Sequence, residues 1–366
     1  MTEPIRLSAP KKQDVDMALT LTVPSQRVVD AATLPAIIDQ YLAECERTVA
    51  SEALRNYKLH LRPLMKWWAE HPDQHEHIIS AATMDKFLSW LQTDYRNLYD
   101  EKPSDHTVSK ALMLTRQVLR WAHRQGGIAQ DVSDLVPRHT FATKEKYYPS
   151  ILELEALIKS PVDPYLSLRD QTIMAMLLAT GARRFELANA QVDNVHFNTP
   201  ILNVNLGDDH GGYVRLDITK RKTHGEMQAR YSLFDWKAGL LLKAYLRTTR
   251  RSSGSIFGLT DEGIRSVVAD AGERTGITAI HPHAFRSAFI DWWFWCHRTD
   301  GPAADMALRL QVGHALQTDD AQIHYINRNH NRILELIREF YTSPLEDIKI
   351  DWWSVSVNCD EASRYR

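Results

Sequence analysis

His281-Pro282-His283-Ala284-Phe285-Arg286, followed by Val312-Gly313-His314 and then by His324-Tyr325, is the stretch on which the reading of this chain turns. About a hundred residues upstream stands Thr180-Gly181-Ala182-Arg183-Arg184-Phe185-Glu186-Leu187. Together the two stretches hold three arginines, four histidines and a tyrosine, enough to place two arginines, two histidines and a tyrosine in a fixed order. Arginine carries a permanently charged planar fork that holds two phosphate oxygens at once, and two such forks can neutralise the charge that builds on a five-coordinate phosphorus. A tyrosine hydroxyl is a nucleophile that can keep a phosphoryl group as a covalent ester. The set suits chemistry on a phosphodiester.

In these residues the chain resembles the tyrosine recombinase (phage integrase) family. The family's signatures are Thr-Gly-x-Arg-x-x-Glu-Leu, then His-x-x-Arg, then Gly-His, then a tyrosine shortly afterwards, and all four occur here in that order. Any one alone is weak; four in order are specific, and the resemblance covers most of residues 33 to 342. It selects Arg183 over its neighbour Arg184 and His283 over His281, and it implies that Arg183 and Arg286 clamp the phosphate. His314 is then a hydrogen-bond donor to a phosphate oxygen, and His283 holds or relays a proton near the attacking hydroxyl. Tyr325 is the nucleophile the resemblance implies, although its distance from His314 is a little longer than is common, the extra length falling in Gln317-Thr318-Asp319-Asp320. Ser287 stands where many relatives have a second histidine.

Family members also carry a catalytic lysine in a β-hairpin turn, where its ammonium protonates the departing 5′-oxygen. Lys222 in Thr219-Lys220-Arg221-Lys222-Thr223-His224-Gly225 fits that place, and Lys220, of the same strand parity, stays open beside it. Without the resemblance the same residues have plainer readings. Arg183 pairs with Glu186 across one helical turn, and the basic turn touches phosphates as a charged loop. With it, Glu186 orients the Arg183 guanidinium. Tyr341, the rival tyrosine, ends an apolar helix through Ile333, Leu334, Leu336, Ile337 and Phe340 and reads as structural.

Composition bounds the rest. A chain of 366 residues, 44% of them hydrophobic, can bury a large core, and its length favours two domains. The formal net charge is −2, so any field that attracts nucleic acid must come from local clusters. The three cysteines, Cys45, Cys296 and Cys359, lie far apart and in no metal-ligand spacing; they predict a reduced, cytoplasmic setting with no zinc site or disulfide framework. No stretch has the apolar length of a signal peptide core or a membrane span.

Residues 1–32 read as a flexible N-terminal segment. From Thr33 apolar residues recur at three- and four-residue steps. Leu34, Ile37, Ile38, Tyr41 and Leu42 predict one helix, Leu54 through Trp68 a second that Pro63 should kink, and Met84, Phe87, Leu88 and Leu91 a third. A fourth starts near Ser104 and stops at Gly126-Gly127. These make a four-helix bundle over 33–136 that resembles the family's core-binding (DNA-binding) domain. Arg55, Lys58, Arg62, Lys66, Lys110, Arg116, Arg120 and Arg124 are its candidates for backbone phosphate contacts. Residues 137–149 lack an apolar period and read as a linker.

Residues 150–343 then read as the catalytic domain, opened by a capping box of Ser150 and Glu153. A strongly apolar helix spans Ser167 to Ala179. Alternation predicts strands through Leu202, Val204 and Leu206, through Val214, Leu216 and Ile218, and through Met227, Ala229, Tyr231 and Leu233. The aromatic run Phe289 to Trp295 reads as core packing, and residues 344–366 form a C-terminal tail. The expected fold is mainly α: an N-terminal four-helix bundle followed by a mixed, mostly helical domain with a small antiparallel sheet.

The resemblance implies a site-specific DNA recombinase that cuts and rejoins strands through a 3′-phosphotyrosine, with no metal or other cofactor. Its partner is double-stranded DNA, engaged by a homo-tetramer on two DNA sites, with room for accessory proteins. The competing expectation is a catalytically inactive DNA-binding accessory protein of the same fold.

Overall fold

The computed structural model describes residues 29–30, 34–49, 51–75, 78–142, 147–163, 166–197, 211–217, 229–314 and 330–349. The expected strand at 202–206, the turn that carries Lys220 and Lys222, Tyr325 and the tail beyond 349 lie outside them. The chain divides into two compact units at Thr143/Lys144.

In the first unit the long helices are α1 (Leu34–Thr48), α2 (Ser51–Glu70), α4 (Ala81–Thr93) and α5 (Asp105–Arg124), with a single turn, α3 (Pro72–His75), between the second and third. Each long helix buries the stripe its sequence marks. On α1 the buried residues are Leu34, Ile37, Ile38, Tyr41 and Cys45; on α5 they run from Val108 through Ala111, Leu112, Thr115, Val118 and Leu119 to Ala122. Helix α2 continues through Pro63. Ser80 and Ser104 cap α4 and α5, each hydroxyl accepting from the amide three residues on, a bond whose loss costs about 1 kcal/mol. Trp67, Trp68, His75, Phe87 and Trp90 form an aromatic knot between α2, α3 and α4, in which Trp68 and His75 stack at 3.8 Å. A two-residue antiparallel pair, β1 (Val29–Asp30) on β2 (Ile78–Ile79), was not expected from the sequence.

The second unit is built around α7 (Ser167–Thr180). From Thr172 to Thr180 every residue of this helix is buried, so it is apolar all round rather than amphipathic. Each fully buried Ile, Met or Leu contributes about 1.5–3 kcal/mol of transfer free energy, which fixes the axis that the site hangs from. Around it lie α6 (Ile151–Lys159), α8 (Arg184–Ala188), α9 (Trp236–Thr249), α10 (Asp261–Thr275), α11 (Pro282–Cys296), α12 (Pro302–Val312) and α13 (His330–Phe340). Helix α6 opens on the expected capping box, with both the Ser150 and the Glu153 bonds present.

A three-stranded antiparallel sheet completes the unit in the order β3 (Val195–Phe197), β4 (Gly212–Asp217), β5 (Ala229–Phe234). On β4 the alternation is as expected, with Val214 and Leu216 buried and Arg215 exposed. On β5 it is not. Arg230 and Ser232 are buried along with Leu233 and Phe234, whereas Ala229 and Tyr231 are only half-buried. The register explains this: Arg230 stands opposite Leu216 and Ser232 opposite Val214, on the face that meets the main core. Strand β3 was also missed. Among the described residues no helix is long and apolar enough to cross a membrane.

Candidate active site

The site starts where α7 stops. Gly181 takes the left-handed conformation (φ 59°), and a β-carbon there would meet Phe289 Cδ1 at 2.9 Å and Val312 Cγ1 at 3.0 Å, so both backbone and space require glycine. The turn it makes puts Arg183 at the head of the short helix α8. Its free carbonyl accepts from Arg286 Nη1 at 2.6 Å. The same glycine therefore ends the core helix, aims the first arginine and anchors the second.

Arg286 lies one turn into α11 and is buried, with 1% of its surface exposed. Its Nη2 is buried and has no hydrogen-bond partner. Burial first, then the Arg183 and Arg230 charges, push its proton affinity down to about 9; a guanidinium still holds its proton at neutral pH. Arg183, by contrast, is part-exposed and held on three sides: its Nη1 donates to Glu186 Oε1 at 2.7 Å, its Nη2 to Gly313 O at 3.1 Å, and its amide to Glu186 Oε2 at 2.8 Å.

Glu186 is 1% exposed and receives a further bond from Arg230 Nη2 at 2.7 Å. Burial pushes its carboxyl up, but the Arg230 charge and the hydrogen bonds from Arg230 and Arg183 outweigh this and hold it below the ordinary glutamate range. Two guanidiniums, Arg183 and Arg230, thus share one carboxylate, and Arg286 lies within the reach of all three charges. The cluster carries excess positive charge in a partly desolvated setting, with two buried guanidinium nitrogens, Arg286 Nη2 and Arg230 Nε, unsatisfied, which is the electrostatic condition for holding a phosphate.

His314 follows Gly313, which closes α12 in the left-handed conformation (φ 67°). Burial, then the charges of Arg286, Arg183, Arg309 and Arg230, lower the affinity of its ring for a proton, which favours the neutral imidazole. It can donate one N–H to an oxygen without adding charge. His283 sits on the exposed first turn of α11, three residues before Arg286, with its ring 6.4 Å from that of His281. His281 is the N-cap of that helix, its Nδ1 accepting from the Ala284 amide at 3.1 Å, which gives it a structural task. The structure therefore brings Arg183, Arg286 and His314 into one cluster and carries His283 on the same helix as Arg286. Lys222 and Tyr325 lie outside the described residues.

Tyr341 is a structural tyrosine. Its hydroxyl donates to Ala179 O at 2.8 Å, and burial first, then the Asp235 charge, push its ionisation well above the usual value. Of the aromatic run in α11, Phe289 and Trp293 are core, whereas Phe294 and Trp295 are more than half exposed. Arg230 was missed by sequence reasoning, because an arginine in an alternating strand reads as a solvent-facing residue. Its only sequence signal is its place in the strand beside the basic turn. Among the described residues no group of three or more His, Cys, Asp or Glu side chains is placed to hold a metal ion.

In the N-terminal unit, Arg55, Lys58, Arg62 and Lys66 form one exposed stripe along α2. On α5, Arg120 and Arg124 are exposed, and with Arg116, Arg138, Tyr41 and Trp121 they line a basic groove. Arg116 is committed to structure: it donates to Val136 O at 3.3 Å and to Pro137 O at 2.9 Å, holding the chain just before the unit boundary.

Comparison with known proteins places the chain in context. Residues 152–293 match the Phage integrase family. The chain is 29% identical over 174 residues to tyrosine recombinase XerD of Vibrio cholerae, a match covering 46% of this chain and 54% of that relative. It is 25% identical over 304 residues to tyrosine recombinase XerC of Staphylococcus carnosus, covering 80% of this chain and 93% of the relative. In fold it is similar to a lambda integrase dimer bound to a core site, with a TM-score of 0.53 at 13% identity over 78% of this chain and 96% of the other.

Proposed function

Because the chain belongs to the tyrosine recombinase (phage integrase) family, we propose that it cuts and rejoins double-stranded DNA at specific sites through a covalent 3′-phosphotyrosine. The observation that carries the reading is the buried, unpartnered Nη2 of Arg286 in a cluster with Arg183 and Arg230, where Glu186 is, among the described residues, the one carboxylate paired with the guanidiniums. A phosphodiester would supply the missing acceptor and the missing negative charge.

In this scheme the Tyr325 oxygen attacks the scissile phosphorus as His283 takes up or relays its proton. The P–O5′ bond breaks, and the departing 5′-oxygen takes a proton from the Lys222 ammonium. Arg183 and Arg286 each hold non-bridging oxygens with a planar fork, and His314 donates a hydrogen bond to one of them. The 5′-hydroxyl of a second cut strand then attacks the phosphotyrosine, and Tyr325 leaves with its proton restored. The ester conserves the energy of the broken bond, so the scheme draws on no nucleotide. Exchange between two duplexes breaks four strands, one per active site, which gives a homo-tetramer on two DNA sites. The exposed basic stripe of α2 and the groove along α5 supply non-specific contacts to DNA phosphates. This makes residues 33–136 the core-binding domain and 150–343 the catalytic domain.

A suicide substrate carrying a candidate site tests the reading. The wild-type protein should accumulate a covalent protein–DNA adduct. Tyr325→Phe should lose the adduct and keep DNA binding, and Tyr341→Phe should keep both. DNA binding with no adduct from wild type would instead identify an inactive accessory protein of the same fold. An adduct retained by Tyr325→Phe and lost in Tyr341→Phe would overturn the choice of nucleophile.

A further inference from the structure

One buried polar seam has no part in the chemistry above. Gln311, in the last turn of α12, is fully buried. Its side-chain amide pairs with the main chain of Leu233 in β5 as a neighbouring strand would: the Leu233 amide donates to Gln311 Oε1 at 2.9 Å, and Gln311 Nε2 donates to Leu233 O at 2.9 Å. The main-chain carbonyl of Gln311 accepts from Arg230 Nη1 and, at 3.2 Å, from Ser232 Oγ. Arg230 is 6% exposed and uses its other terminal nitrogen on Glu186. Glu186 holds Arg183, and Arg183 returns to Gly313 O, two residues beyond Gln311. The hydrogen bonds close a circuit through β5, the end of α12, Arg183 and Glu186.

Burying a guanidinium and an amide in this way is costly in desolvation, and apolar residues of the same volume would hold two elements together as well or better. What the polar seam supplies is register. An amide that matches both main-chain groups of one residue fits β5 only at discrete two-residue steps, and the Arg230 and Ser232 side chains on the Gln311 carbonyl select one of them, whereas an apolar contact tolerates sliding. Arg230 spends both terminal nitrogens inside the protein, on Gln311 O and Glu186, and is left with only its buried Nε unpartnered, so it has no free fork to offer a phosphate.

Resting on the recombinase reading above, we infer that Arg230 and Gln311 are positioning residues, a seam that sets Arg183 and His314 in register against one phosphate. Arg230 acts through Glu186 on Arg183, and Gln311 acts on the turn that presents His314.

Single-turnover cleavage at saturating DNA, with affinity measured separately, tests this. Arg230→Met and Gln311→Leu should lower the cleavage rate roughly 10- to 100-fold, the range for residues that orient a catalytic group, with little change in affinity. Arg230→Lys, which retains the charge facing Glu186, should fall between. Arg230→Met should cost nothing further in an Arg183→Ala background, and Gln311→Leu nothing further in a His314→Ala background. In DNA-free protein, Gln311→Leu exchanges one neutral residue for another, so a shift in the NMR titration of His314, with His281 unmoved, reports displacement rather than lost charge. Should Arg230→Met fail to fold, the Gln311→Leu and Arg230→Lys arms decide. Normal cleavage with an unmoved His314 resonance, or losses that multiply in the double variants, would overturn the inference. If the wild type forms no adduct, the recombinase reading falls while the His314 resonance still decides the seam.

Discussion

Glu186→Gln removes the single carboxylate from a cluster of three guanidiniums and barely changes the volume. Its two ion pairs are not equal. Arg183 has 41% of its side chain exposed, so its pairing is screened and contributes on the order of 1 kcal/mol or less. Arg230 has 5% exposed, and removing its partner leaves an uncompensated buried charge, a change that costs about 3–5 kcal/mol. The loss at neutral pH should therefore be about 3–5 kcal/mol, nearly all of it from Arg230. The pH dependence has a definite sign. Glu186 is held below the ordinary glutamate value of 4.5, so the unfolded chain takes up this proton first as pH falls. The stabilisation is fully present above about pH 4.5 and is lost as pH drops through the folded-state value. The variant has no proton to take up there, so the gap between it and wild type should narrow below about pH 4.5. Hydrogen exchange of peptides from α7 and β5 in the full chain reports the catalytic unit separately from the helical bundle. A gap under about 1 kcal/mol at neutral pH, or one that stays constant down to about pH 3, would refute the assignment of the buried charge balance.

Gly313→Ala places a β-carbon 2.5 Å from Arg230 Cδ at a φ of 67°; it should destabilise the catalytic unit by about 1–3 kcal/mol and abolish adduct formation, as thermal melting and the suicide substrate will show. Sulfate should raise the melting temperature of wild type more than that of Arg286→Gln, the excess over the general salting effect reporting occupancy of the clamp, with about 1.4 kcal/mol expected at ten times its Kd. Lys222→Ala should cleave an ordinary phosphodiester slowly and a bridging 5′-phosphorothiolate nearly as fast as wild type, because the thiolate leaves without a proton. Sulfur rescue of Lys220→Ala in its place would move the general acid by two residues.

The sequence by itself determined the helical faces of both units and the Ser150 capping box, each written in local spacing: an apolar stripe at helical period, a serine three residues before a glutamate. The grouping of Arg183 with Arg286 and His314, more than a hundred residues away, was legible only through the resemblance to the family. The roles of Arg230 and Gln311 were decided only by tertiary structure. In the strand Ala229–Phe234 the alternation favours Tyr231 and Leu233 as the inward face, yet α7 on one side and α12 and α13 on the other bury both faces. A strand covered on both sides has no solvent face for a polar residue, so Arg230 must find its partners inside. It finds them in Glu186, 44 residues away, and Gln311, 81 residues away, separations over which residue spacing carries no information. The short strand Val195–Phe197 and the pairing of Val29–Asp30 with Ile78–Ile79 were hidden for the same reason: two or three residues make no period, and only the partner across the ladder makes them strands.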